Sequence, residues 1–186
     1  MLSTTDAIVL SLQPHSDKAH TLHAYTRAGG RVNYRVYGIG RKNTTGKYSP
    51  LSIVQLTTDE HSVRTAQLTY VPTSLTTDPY KRTIALFLSE VMHHVLRHPM
   101  PDEPMYDFLA QAIQDLDTTD APQNFHLQFL VGFAAKLGFA MEKEPAMPQT
   151  RKQRQETLKS LCSYFADHVD TWQAPKSMDI LMEVFD

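Results

Sequence analysis

The feature that most constrains this chain is a change in the spacing of its apolar residues at Pro79. Before it the spacing is two; after it the spacing is three and four. Alternation places every second side chain on one face of a strand, whereas spacings of three and four place them on one face of a helix. HTLHAYT and RVNYRVY alternate, and DAIVLSL, LSIVQLTT and VRTAQLTYV are further apolar or β-branched runs. Gly29-Gly30, Gly38, Gly40, Gly46, Pro50 and the polar TTDEHS stretch punctuate them. Five short strands separated by turn signals predict a small antiparallel barrel over residues 1–78.

From Tyr80 to His98, Ile84, Phe87, Leu88, Val91, Met92 and Val95 recur at helical spacing, and HPMPDEP closes the helix because proline cannot continue it. MYDFLAQAIQDLD is a second helix. FHLQFLVGFAAKLGF is a third, apolar almost all round, as the centre of a bundle would be. A basic-led helix from about Arg151 to about Val169 and a short KSMDILMEVF helix follow. The expected fold class is therefore α+β, with a small five-stranded antiparallel barrel (1–78) followed by an all-helical domain (79–186).

Charge follows the same division. The net formal charge of the 186 residues is −2, yet residues 1–80 carry eight Lys/Arg against five Asp/Glu, and residues 81–186 carry ten against fifteen. Opposite signs suggest modules with different tasks. Gly30 to Pro50 holds five basic residues and no acid, beside Tyr34, Tyr37 and Tyr48. In a strand, Arg31, Asn33, Arg35 and Tyr37 share one face and Val32, Tyr34 and Val36 the other. The first set makes a wet face of guanidiniums, an amide and a ring, which Arg41, Lys42 and Lys47 extend. Guanidiniums pair with phosphates, and an aromatic face stacks a base of any identity. A solvated strand face is the alternative, and the lack of acid between Asp17 and Asp59 favours a polyanion.

Other chemistries find little support. Five residues separate Gly40 from Gly46 where a phosphate-binding loop has four, and Tyr48 follows Lys47 where a magnesium-binding Ser/Thr would stand. His94 and His98 stand four apart on the expected helix, without a Glu between them to serve as a base. Cys162, the only cysteine, excludes an intramolecular disulfide and reads as a buried small hydrophobe. Asp102, Glu103 and Asp107 suit a helix start. No catalytic residue, cofactor or metal site is expected. The acidic, interrupted N-terminal stretch does not read as a signal peptide. No apolar run nears the roughly 20 residues of a membrane span, so a cytoplasmic location is expected.

The order of these pieces resembles the RecO DNA-repair proteins over nearly the whole chain. The resemblance is carried by Ile8-Val9-Leu10, Ser16-Asp17, Thr26 with Gly30-Arg31, Gly40-Arg41-Lys42 and Ser49-Pro50-Leu51. In the helical half it is carried by FLSEVMHHVLRHPMPDEPMYDFLAQAIQDLD, FHLQFLVGFAAKLGF and APKSMDILMEVF. It implies an OB-fold domain and a helical domain. It also implies a non-enzymatic, nucleoid-associated protein that binds single- and double-stranded DNA and anneals complementary strands. With RecR it would load RecA onto DNA coated by single-strand-binding protein (SSB), docking the acidic SSB tail on the helical domain.

On this resemblance Arg31, Arg35, Tyr37, Arg41, Lys42 and Lys47 would contact DNA. Many RecO proteins carry a four-cysteine zinc insert after the third helix. Here only AMEKEPAMPQT intervenes, a short connection for the family, and no zinc is expected. Relatives often place basic residues just before the phenylalanine of that helix, where this chain has Leu127 and Gln128 before Phe129. That leaves Lys136, Arg151, Lys152, Arg154 and Lys176 as the cations for partner binding. A protein-interaction adaptor whose barrel takes an acidic peptide is the competing reading.

Overall fold

A computed structural model describes residues 1–39 and 45–184. The chain forms two compact units: Met1–Pro72 with Leu96–Gln114, and Thr73–Val95 with Asp115–Asp186. These are not the continuous spans 1–78 and 79–186, because residues 96–114 gather with the sheet.

The first unit is built on five strands, β1 (Ser3–Ser16), β2 (Ala19–Thr26), β3 (Gly30–Tyr37), β4 (Ile53–Thr58) and β5 (Val63–Tyr70), in the order β3-β2-β1-β4-β5, with every ladder antiparallel. β1 runs well past the expected DAIVLSL and is the strand shared by both halves. Its first part pairs with β4 over Ser3–Ile8, and it pairs with β2 from Ala7 to Ser16. A register shift between Val9 and Ser11 bends it where it passes from one partner to the other. The sheet closes through a parallel bridge between Arg35 and Ser62, in which the Arg35 N–H donates to the His61 carbonyl at 2.8 Å. Closure of β3 on β5 turns the five-stranded sheet into the OB-fold barrel.

The core is the one that alternation dictates. Ala7, Val9, Leu22, Ala24, Val36, Tyr48, Val54 and Leu56 are buried together, with Val32 and Tyr34 packed against them. Tyr48 is thus a core residue rather than part of a basic surface. Leu51 adopts a left-handed backbone (φ 65°) although it has a Cβ. Its complete burial, and the bond from its N–H to the Val9 carbonyl at 2.8 Å, offset that strain.

The helices are α1 (Ser74–Thr77), α2 (Pro79–Val95), α3 (Glu103–Thr118), α4 (Phe125–Lys136), α5 (Arg151–His168) and α6 (Met178–Val184). α2 stops at Val95, three residues short of the expected end, so His94 and His98 do not share a helix. Pro99 disfavours helical backbone at the residue before it. In the second unit α4 packs against α2 and α5, and Leu127, Leu130, Phe133 and Ala134 are fully buried. Thr150 opens α5 with a capping box, accepting from the Gln153 N–H while the Gln153 side chain accepts from the Thr150 N–H. Among the described residues no helix is long and apolar enough to cross a membrane.

Candidate nucleic-acid interface

The barrel carries a groove of about 630 Å³ lined by His15, Thr21, Asn33, Tyr34, Arg35, Tyr37, His61 and Ser62. The β2–β3 ladder explains how they meet. Thr21 pairs with Arg35, His23 with Asn33 and Ala19 with Tyr37, so one row of alternate side chains forms the floor. His15 comes from the end of β1, and His61 and Ser62 come from the β4–β5 turn, which closure brings against Arg35. Strands 2 and 3 with the flanking 1–2 and 4–5 loops are where OB-folds take extended oligomers. Tyr37 is 57% exposed, an open ring on a wet face. The lining residues include no carboxylate.

Asp59, one of the two acids of the β4–β5 turn, is occupied by its own loop. Asp59 Oδ1 accepts the His61 N–H at 3.0 Å, the Ser62 N–H at 2.7 Å and the Ser62 hydroxyl at 2.9 Å, while Oδ2 meets Arg64. These bonds, the His61 N–H first, hold its carboxyl far below the usual range. The turn is therefore fixed in shape, and His61 and Ser62 are presented rather than mobile.

The structure sorts the residues expected to contact DNA. Arg35 and Tyr37 line the groove. Arg31 is 6% exposed and recessed, because the segment after α2 covers the start of β3 and the Arg31 N–H donates to the His98 carbonyl at 3.1 Å. Burial first, and then the neighbouring Arg97, pull its guanidinium down to about 10. Lys47 is not among the residues lining this groove, and its ammonium donates to the Ala66 carbonyl of β5 at 3.1 Å. Arg41 and Lys42 lie outside the described residues. The face reading named Asn33 but missed His15, Thr21, His61 and Ser62. Their only signal is the closure of the barrel, which no local pattern carries. Arg27, on the same basic stretch of chain, is neutralised from afar: it bonds Glu103 at 3.0 Å and Asp107 at 2.7 Å and lies over the Tyr106 ring.

Residues 76–144 match the family model described as Recombination protein O C terminal. The DNA repair protein RecO of Porphyromonas gingivalis is 33% identical over 150 residues, 74% of this chain and 61% of that protein. The RecO of Flavobacterium johnsoniae is 27% identical over 232 residues, covering 97% and 98% of the two chains. That of Christiangramia forsetii is 24% identical over 239 residues, covering 100% of both. The chain belongs to the RecO family. The chain spans about three fifths of the length of the RecO proteins of Porphyromonas gingivalis and Phocaeicola vulgatus that it matches.

In this RecO-family chain the residues expected to meet a protein partner fall into two groups. Lys136, Lys152 and Lys176 are exposed. Arg154 is 9% exposed, and Arg151 is half-buried with its Nε donating to the Met182 carbonyl at 3.3 Å. Arg151 and Arg154 lie with His126, Leu158, Leu181 and Met182 on the inner side of α5. Burial, with Arg154 nearby, holds the His126 imidazole down to about 3. A cavity of about 850 Å³ in the helical unit lies between residues 141–146 and α5. Glu142, Glu144 and Glu156 line it against Lys143 alone, so an acidic peptide would meet like charge there. Cys162 is buried, and burial pushes its thiol up to about 12, which makes it inert.

Proposed function

We propose that this chain is a DNA repair and recombination mediator. It binds single- and double-stranded DNA in the barrel groove, anneals complementary strands and, with RecR, helps load RecA onto SSB-coated DNA. It works on the nucleoid in the cytoplasm and turns over no small substrate. The observation that carries this reading is the groove itself: an exposed aromatic ring, a guanidinium and hydrogen-bonding side chains, with no carboxylate, on the OB-fold surface suited to an extended strand. The names of the RecO relatives support the repair role.

Tyr37 stacks a base and Arg35 meets a phosphate, while Asn33, Thr21 and Ser62 offer hydrogen bonds to base or sugar edges. On this reading the unit built on the barrel holds DNA and the helical unit holds protein partners. The exposed Lys136, Lys152 and Lys176 are its contacts for the acidic SSB tail. The buried Arg154 and the half-buried Arg151 serve the helical core instead.

The test is annealing of SSB-coated complementary strands, with and without RecR, by the wild-type chain and by an Arg35→Glu, Tyr37→Ala variant. The wild type accelerates annealing and the variant does not, with circular dichroism unchanged. Equal annealing by both would refute the groove as the DNA site.

A further inference from the structure

A second groove, of opposite charge, lies on the helical unit between residues 141–149 and one face of α5. The cavity of about 850 Å³ there adjoins another of about 310 Å³, and both are lined by Ala146, Glu156 and Thr157. Along α5 the lining recurs at Gln153, Glu156, Thr157, Ser160, Leu161 and Tyr164. Those spacings of three and four follow one helix face for about 16 Å. Met141 and Pro145 are half-buried and Leu161 is buried, so the walls are partly apolar.

Both ends of the outer wall are tied down. Tyr164 Oη donates to the Phe139 carbonyl at 3.0 Å, and the Phe139 and His168 rings stack at 5.0 Å. At the other end Asn124 Nδ2 donates to the Pro148 carbonyl at 3.0 Å, and the Gln149 N–H donates to Gln153 Oε1 at 3.0 Å. Between these ties the backbone groups of residues 140–146 make no hydrogen bond among the described residues. They form a rim of donors and acceptors with which an extended chain can pair.

Charge selects the occupant. Glu142 and Glu144 stand on one wall and Glu156 on the other, all exposed, and Lys143 is the one cation of the lining. Lys152 lies 4.0 Å from Glu156, but both are largely exposed and such a pair is weak. Glu142 and Glu144 have no ion pair among the described residues. Among those residues no three acidic, His or Cys side chains are grouped to hold a metal ion. The carboxylates are thus spread along the groove, as a row of cations requires.

We propose that this groove docks an extended segment of a protein partner in which Lys or Arg alternates with apolar residues. About five such residues span its length. The apolar side chains enter between the walls, and the long basic stems reach the carboxylates on either rim. The docking needs nothing from the barrel groove, so the failure of either leaves the other standing.

The test uses the full chain and a fluorescein-labelled, C-amidated Lys-Leu-Lys-Leu-Lys peptide, with binding read by anisotropy at low and high salt. The wild type binds it saturably, and salt weakens the binding. Lys-Ser-Lys-Ser-Lys and Gln-Leu-Gln-Leu-Gln bind several-fold more weakly. Glu142→Gln, Glu144→Gln weakens the first peptide several-fold, whereas Asp170→Asn, Asp179→Asn, which removes the same charge outside the groove lining, leaves it unchanged. Ser160→Trp, at an exposed position on the α5 wall, fills the groove and abolishes binding with circular dichroism unchanged. Undiminished binding by Ser160→Trp, or equal losses in the two charge variants, would overturn the groove as the site. Equal affinity for Lys-Ser-Lys-Ser-Lys would reduce the attraction to surface charge and overturn it as well.

Discussion

Gly30→Ala tests whether the segment after α2 really seals the start of β3. Gly30 has φ +62°, and a Cβ built on it would stand 2.1 Å from the Met100 carbonyl oxygen and 2.9 Å from that of His98. Gly38 has a similar φ of +74° with nothing within 4 Å. Both substitutions carry the left-handed backbone cost of an L-residue, about 1 kcal/mol. Only Gly30→Ala must also displace backbone. Moving residues 98–100 breaks the Arg31 N–H bond to the His98 carbonyl, at about 1 kcal/mol, and uncovers the buried Arg31 side chain. The Gly30 variant should lose about 3 kcal/mol and the Gly38 variant about 1, a difference of roughly 30-fold in the opening equilibrium. Native-state hydrogen exchange of β2 and β3 amides reads that equilibrium in this unit. Equal losses in the two variants would refute the close approach and, with it, the account of why Arg31 is recessed.

The groove and the helical unit give further tests. Tyr37→Ala should weaken oligo(dT) binding by about 1–3 kcal/mol, one stacked base, while Tyr37→Phe keeps most of the affinity, both read by anisotropy. Lys47→Met should change the salt slope of DNA binding less than Arg35→Gln, which lowers it by about 0.7, because Lys47 is tethered to the Ala66 carbonyl and is not part of the groove lining. Thr150→Ala removes the α5 cap and should cost about 1 kcal/mol in thermal unfolding. His126, held down to about 3, is neutral in the folded state and takes up a proton on unfolding below about pH 6.5. Its contribution is thus complete above pH 6.5 and declines as pH falls toward 3. Urea unfolding of the helical unit should lose about 2 kcal/mol between pH 7 and pH 5, and His126→Leu should flatten that loss.

Local periodicity made much of this legible. Alternation along RVNYRVY separated Val32 and Val36, which pack in or against the core, from Arg35 and Tyr37, which line the groove; Tyr34 does both, packing against the core and reaching the groove lining. Helical spacing found the long helices to within a few residues. What failed was whatever depends on a distant partner. HPMPDEP reads as a helix break, and it is one, but nothing in it says that its carbonyls close over Gly30 and bury Arg31. Lys47 looks free until β5 supplies the Ala66 carbonyl. His15 and His61 stand 46 positions apart in sequence and meet only because β3 bridges to β5. The amphipathic pattern of α3 shows that one face is apolar, not that its first part gathers with the sheet rather than with the other helices.

Counting charges along the sequence overstates the field on the barrel. The stretch between Asp17 and Asp59 holds no acid, yet folding brings Glu103 and Asp107 to Arg27, Asp59 to the rim of the groove, and the Ala66 carbonyl to Lys47. Of the described Lys and Arg side chains, Arg35 lines the groove, and Arg31 is recessed beside it. On the proposed reading one phosphate met by Arg35 corresponds to a salt slope of about −0.7 on single-stranded DNA, far shallower than a face of five free cations would give. On that reading affinity in the groove rests on Tyr37 and the hydrogen-bonding floor more than on charge. A slope steeper than about −3 in the Arg35→Gln variant would place the dominant phosphate contacts elsewhere on the chain.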